Sequence, residues 1–259
     1  MFFYIYDSFL KNSKYDKFHY KINTRLTSLG ISGRPIHLSI LKNLKDIIDN
    51  IPEKESPTIA VVGDDKIFYK AAKYLIGRKT PLGFIPVNKN STVAKLLGIP
   101  TNEFACDVLS ARLVEAVGLG LAENENFFSY VEAPANEVIV ECDGLYRLQS
   151  KKMKKIRVVN LGLLKFSDPS EVDTKKMVAN PNDEALEIII GNPESRFLFK
   201  TNKEIIDSVL LAKEITLKKK DEKSDVNVLI DGEKSIPLPI TIKLSPDRVR
   251  LIVGRNRLI

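Results

Sequence analysis

The chain has 259 residues, enough for one large or two ordinary domains with real cores, and its 44% hydrophobic and 28% charged residues are those of a soluble globular protein. A net charge of +7 suits an anionic partner such as phosphate, nucleic acid or a lipid headgroup surface, and serves solubility equally well. No apolar run reaches the roughly 18 residues of a membrane span, and the opening MFFYIYD lacks the basic segment and cleavage site of a signal peptide. The two cysteines, Cys106 and Cys142, fit neither a disulfide framework nor a zinc pattern, so a reducing cytoplasm is the expected setting. With His19 and His37 as the only histidines, a histidine triad or metal centre is disfavoured.

Met1 to Tyr6 reads as a buried first strand ending at Asp7 and Ser8. Tyr15, Phe18, Ile22, Leu26 and Leu29 recur at spacings of three and four, the apolar face of a helix that ends at Gly30. A short strand follows at Arg34 to Leu38. Ser39 is placed to cap a second helix whose apolar face is Leu41, Leu44, Ile47, Ile48 and Ile51, stopped by Pro52. An apolar strand at Thr58 to Val62 then runs into Gly63-Asp64-Asp65 and a helix carried by Ile67, Phe68, Ala71, Ala72 and Leu75. The device returns at once: a strand at Leu82 to Val87, the polar turn Asn88-Lys89-Asn90, and Ser91 as N-cap of a helix from Thr92 to Leu97. Strands alternating with helices of this length predict βαβ units and a parallel sheet with right-handed crossovers. Turns at the carboxyl ends of such strands face the crevice where ligands bind, and free N–H groups at a helix start favour anions. Cys106, in the apolar run Phe104 to Val117, reads as core.

Near Gly118 the pattern changes and helix signals almost vanish. Strands are predicted at Phe127 to Glu132, Glu137 to Cys142, Leu145 to Gln149, Ile156 to Leu161, Ala185 to Ile190 and 196–200. Others follow at Glu214 to Lys218, Val226 to Ile230, Ile240 to Leu244 and Val249 to Val253. Short strands punctuated by Asp-Gly, Asn-Pro and Ser-Pro predict an antiparallel sandwich or barrel. Lys165 to Asn182 reads as a long surface loop. The mixed-sign run Lys218 to Ser224 is a solvated turn rather than a nucleic-acid patch.

Residues 61–100 resemble the nucleotide-binding part of the diacylglycerol kinase catalytic-domain family, which includes sphingoid and bacterial lipid kinases and is related to the NAD kinases. That family reads Gly-Gly-Asp-Gly-Thr after one strand and Pro-x-Gly-Thr-x-Asn-Asp-x-Ala-x-x-Leu-Gly-Ile-Pro after the next. The frame Pro86, Ala94, Leu97, Gly98, Ile99 and Pro100 matches, and Gly63-Asp64 is in register with the first motif. The chemistry within the frame differs: Val62, Asp65 and Lys66 replace Gly, Gly and Thr, while Asn88, Lys89, Ser91 and Thr92 replace Gly, Thr, Asn and Asp. A glycine lets backbone approach a phosphate closely, whereas a carboxylate at Asp65 would fill that volume and repel a polyphosphate. Lys66 and Lys89 either hold a phosphate or neutralise Asp64 and Asp65. The second option predicts Asp65 within salt-bridge distance of one of these lysines.

The resemblance implies an α/β Rossmann-like three-layer domain over residues 1–118 and an antiparallel β-sandwich domain over 119–259, with the last residues free to return to the first. Val228 to Glu233 resembles the family's Ile-Asp-Gly-Glu strand end, in which the Asp is the general base and the Glu helps organise magnesium. Asp231 and Glu233 are two apart, so on an extended backbone they point to one side. Asp-Gly between two apolar runs is also an ordinary hairpin turn, and Cys142-Asp143-Gly144-Leu145 shows the same grammar with no expected role. Asn182 to Glu187 resembles an acidic element near the metal, in which Ala185 replaces or displaces a Gly.

On this resemblance Asp231 and Asp64 are the expected catalytic residues. Gly63, Asp65, Lys66, Asn88, Lys89, Asn90, Ser91 and Thr92 would hold the nucleotide, and Glu233, Asp183 and Glu184 would hold metal. The expected cofactors are ATP and magnesium. The expected partner is a lipid or lipid-like small molecule, with peripheral membrane contact and no nucleic acid. Two functions follow: phosphoryl transfer from ATP to a lipid hydroxyl, or a catalytically inactive pseudokinase of the same fold that binds another ligand or a protein.

Overall fold

A computed structural model describes all residues except 40, 54–55, 151–153, 167–174 and 192–205. The chain divides into two compact units, Met1–Val117 with Asp247–Ile259, and Gly118–Pro246.

The first unit carries β1 (Phe2–Tyr6), α1 (Asp16–Ser28), β2 (Arg34–His37), α2 (Leu44–Asp49), β3 (Thr58–Gly63), α3 (Asp65–Tyr74), β4 (Leu82–Pro86), α4 (Thr92–Leu96) and α5 (Ala105–Ala111). The strands pair in the order β2-β1-β3-β4, all parallel. Strands β3 and β4 are buried at every residue and β1 at all but its first, as expected for strands covered on both faces. The polar β2 is the edge. Leu38 N–H donates to Tyr6 O, so alternation turns the Pro35 nitrogen to the free side, where no donor is needed. Helix α3 lays Ile67, Phe68, Ala71 and Ala72 on the sheet, and the Phe68 ring meets Phe84 of β4 with centroids 5.0 Å apart. Cys106 of α5 is fully buried, as its setting implied, and burial pushes its thiol up to about 12.

The second helix is shorter than expected and starts elsewhere. Its N-cap is Asn43, whose Oδ1 accepts from Asp46 N–H at 2.9 Å while its amide donates to the Asp46 carboxylate at 2.5 Å, a reciprocal capping pair. Ser39 instead bridges Lys42, and Leu41 is 93% exposed.

The chain enters the second unit within β5 (Val114–Ala122) and leaves it within β18 (Ile240–Ile252). Between them run β6 (Glu125–Phe127), β7 (Tyr130–Pro134), β8 (Val138–Cys142), β9 (Tyr146–Gln149), β10 (Lys155–Val159), β11 (Gly162–Phe166), β12 (Lys175–Ala179), β13 (Leu186–Gly191), β14 (Ile206–Ala212), β15 (Glu214–Lys219), β16 (Asn227–Ile230) and β17 (Lys234–Pro237). One antiparallel sheet has the order β14-β13-β10-β7-β16-β17. Facing it, the first part of β18 pairs β15, which pairs β8 and then β9, also antiparallel. Val131, Ile156, Ile188 and Val228 of one sheet share a core with Val140, Ile215, Leu217 and Ile242 of the other. This is a β-sandwich.

Three sequence expectations are corrected here. The strand predicted from Phe127 to Glu132 is broken after Phe127, and Ile240 to Val253 is one strand rather than two, running through Ser245-Pro246. The predicted loop from Lys165 to Asn182 instead holds the end of β11 and all of β12, which pair antiparallel, while residues 167–174 lie outside the described residues. The strand expected at 196–200 lies outside the described residues.

The cap assignment gives a direct test. Asn43→Ala should lower unfolding free energy by about 1 kcal/mol in urea titration, and Ser39→Ala should leave it unchanged within roughly 0.5 kcal/mol.

Candidate functional site

The chain leaves β1 for β2 on one side and returns to β3 on the other, so the strand order reverses between β1 and β3. That is where an open α/β sheet presents its crevice. Asp7 follows β1 and Gly63 ends β3. A Cβ on Gly63 would lie 2.7 Å from Ile67 Cγ2 and 3.1 Å from Asp7 Cβ, so only glycine lets the two strand ends come this close. A cleft of about 590 Å³ opens here, lined among others by Asp7, Leu38, Asp46, Asp64, Lys66 and Ile67. Both histidines lie beside it on Tyr6: the His37 ring stacks on the phenol at 4.9 Å and His19 packs at 5.1 Å. Burial, then His19 and Lys11, hold His37 below its ordinary value. Spacing alone gave no sign of this pairing.

Asp64 is the N-cap of α3, and its Oδ1 accepts from Lys66 N–H at 3.0 Å and Ile67 N–H at 3.1 Å. Asp65, the first residue of α3, does not pair with lysine: among the described residues no ion pair joins it to Lys66 or Lys89, both of which are exposed. Its carboxylate reaches the second turn instead. One oxygen accepts from the Ser91 hydroxyl, the other from Thr92 N–H at 2.9 Å and Val93 N–H at 3.4 Å. Ser91 is buried and caps α4 by accepting from Ala94 N–H at 2.9 Å. Asn88 closes its own turn by accepting from Asn90 N–H, and Asn88, Lys89 and Asn90 are all exposed. Of the expected nucleotide ligands, hydrogen bonds join Asp65, Ser91 and Thr92, while Lys66, Asn88, Lys89 and Asn90 are exposed.

In the second unit, Asp231, Gly232 and Glu233 join β16 to β17; the first two have φ of 49° and 70°, and Glu233 N–H closes the turn on Ile230 O at 2.9 Å. The Asp231 side chain is 6% exposed and accepts from three consecutive backbone N–H groups: Phe128 at 2.9 Å, Ser129 at 2.7 Å and Tyr130 at 3.1 Å. Those bonds turn the chain between β6 and β7. Asn160 fixes the same turn by donating to Phe128 O at 2.9 Å, and the Ser129 hydroxyl donates to Leu161 O at 2.9 Å. No sequence pattern marked either residue. Asp143-Gly144 is the twin of this turn, with φ of 51° and 67°, and Asp143 Oδ1 accepts from Lys213 and Glu214 N–H.

The residues expected at a metal are spread over exposed turns. Glu233 lies just past Gly232 in the β16–β17 turn, and Asp183 and Glu184 occupy the turn before β13. Among the described residues no three His, Cys, Asp or Glu side chains gather as a metal site. Glu187, the second residue of β13, is the buried acid of that element instead. It is 2% exposed, its Oε2 has no hydrogen-bond partner, and burial, then the charge of Asp183, push it up to about 7.

No protein-family model and no curated protein matches the sequence. Solved structures do. A diacylglycerol kinase from Bacillus anthracis str. Sterne is similar with a TM-score of 0.69 at 16% identity, over 98% of this chain and 97% of that one. A putative diacylglycerol kinase from the same organism gives 0.71 at 17% identity, over 98% and 97%. An NAD kinase from Archaeoglobus fulgidus, crystallised in complex with ATP, gives 0.60 at 17% identity, over 99% and 95%. The chain has the fold of the diacylglycerol kinases and NAD kinases. Among its described residues no helix is long and apolar enough to cross a membrane.

Within this kinase fold, the residues present do not fit a triphosphate. The N–H groups at the start of α3 bond to Asp64, and those of the second turn bond to Asp65, so phosphate oxygens would have to displace carboxylates and then lie beside them. The donor set for magnesium does not converge either.

Two predictions follow from these carboxylates. Asp231→Ala strands three backbone N–H groups, two of them buried, and should cost about 3 kcal/mol in urea unfolding, whereas Asp143→Ala at its exposed twin should cost about 1 kcal/mol or less. Glu187 binds its proton more tightly folded than unfolded, so its contribution is intact below about pH 4.5 and is lost as pH rises through about 7. Glu187→Gln should therefore gain roughly 3 kcal/mol over the wild type at pH 8 and nothing at pH 4.

Proposed function

We propose that this protein is a catalytically inactive member of the lipid-kinase group, a pseudokinase that keeps the scaffold and uses its α/β crevice to bind a ligand other than a nucleoside triphosphate. The observation that carries this reading is Asp231. A general base needs a lone pair aimed at the acceptor hydroxyl. Here both oxygens of the candidate base are committed to three backbone N–H groups that shape a turn, and the twin at Asp143 uses the same geometry where no chemistry is expected.

A second reading, ATP-dependent phosphoryl transfer to a lipid or lipid-like hydroxyl, is favoured by the cleft at the reversal point of the strand order, which keeps Asp64 beside Lys66. In that reading Asp64 would order magnesium, Lys66 would stabilise charge on the phosphates, and the membrane surface would supply the acceptor.

One assay separates them. Purified protein with Mg-ATP and, in turn, diacylglycerol or a sphingoid base in mixed micelles, or NAD in solution, should yield no phosphorylated product above an Asp231→Asn control. Product above that background with either lipid acceptor would establish the second reading, and product with NAD would overturn the first without establishing the second.

A further inference from the structure

Three donors, the Ser91 hydroxyl and the N–H groups of Thr92 and Val93, converge on one carboxylate 26 to 28 residues away in sequence. The hydroxyl is not free to turn elsewhere. Ser91 is 3% exposed, and its Oγ is held from one side by Ala94 N–H and from the other by Asp65. Asp64 fixes the start of α3, from which the Asp65 carboxylate projects. The lysines on either side do not neutralise it, since neither Lys66 nor Lys89 pairs with Asp65 among the described residues. The carboxylate is bound as an anionic ligand is bound, by a hydroxyl and consecutive backbone N–H groups, and it is supplied by the chain itself.

We infer that Asp65 is a resident anion: it occupies the Ser91–Val93 turn permanently, holds that turn to the start of α3, and excludes phosphate by filling the position and by repulsion. This rests on the reading that no triphosphate is used, and it adds that exclusion at this turn resides in one side chain. Removing that side chain leaves a preformed cradle of three donors with no acceptor, which a small oxyanion can fill.

The test is anion rescue of Asp65→Gly, followed by thermal unfolding. The variant should melt below the wild type. Sodium formate, which restores the missing carboxylate, and inorganic phosphate should each raise its midpoint saturably by roughly 2–4 °C beyond sodium chloride at matched ionic strength, and should leave the wild type unmoved. A folded variant that responds to neither anion, or only as it does to chloride, overturns the inference. So does a wild type that gains as much as the variant. A measurement on the wild type keeps the inference testable should the variant not fold: the Thr92 and Val93 amides should exchange slowly with deuterium and at the same rate with and without phosphate, and slowing by phosphate would sink it. Micromolar binding of Mg-ATP by the wild type in calorimetry would remove both this inference and the reading it rests on. An unresponsive Asp65→Gly beside a wild type that ignores ATP would remove this one alone.

Discussion

A backbone N–H left at the end of a strand or the start of a helix must find an acceptor, and when water is excluded an unpaired donor costs on the order of 1–3 kcal/mol. In a fold that binds polyphosphates, those orphan donors are the binding site. This chain meets the same constraint with its own aspartates. Asp64 serves the first turn of α3 and Asp65 the Ser91 turn, while Asp231 serves the residues between β6 and β7 and Asp143 the start of β15. These four carboxylates, three of which the sequence presents as candidates for chemistry, act as acceptors for backbone. The consequence for function is direct: a donor already bonded to a covalent part of the chain is offered to a ligand only at the cost of breaking that bond.

The fold was largely legible because its signals are local. The run TIAVVG reads as a strand with no tertiary information, and so does the Ile67, Phe68, Ala71, Ala72 spacing as a helix face. The failures are equally physical. The break after Phe127 is imposed by Asp231, about a hundred residues downstream, and no window on the sequence contains it. Ser39 and Asn43 are both good caps by type, and the choice fell to Asn43 because Asp46 stands at the position that can return the hydrogen bond. Ser245-Pro246 reads as a turn, yet β18 passes through it unbroken.

In the candidate site Asp65 bonds to the Ser91 turn, and Asp64 caps the helix that Asp65 begins. The expected lysine partner failed for a reason available beforehand: residues 65 and 66 are adjacent on a helix and diverge by about 100°, so they do not face each other. What no sequence argument weighed was a bond from the start of one helix to the turn before the next. Glu187 closes the acidic element that the resemblance placed near a metal; its strand runs Leu-Glu-Ile-Ile-Ile-Gly, and within that run it is buried despite its charge.

A turn of N–H donors with no acceptor is a local destabilisation, and a side chain that supplies the acceptor offsets it without any ligand. Asp65 has the properties this requires: it is short, it starts a helix whose positive end tolerates the charge, and its carboxylate accepts from the Ser91 hydroxyl and the N–H groups of Thr92 and Val93. The contrast between Asp143 and Asp231 points the same way. The exposed turn and the buried one solve the same hydrogen-bonding problem alike, so in the buried one geometry alone gives no reason to add catalysis to a residue whose structural task already uses both its oxygens.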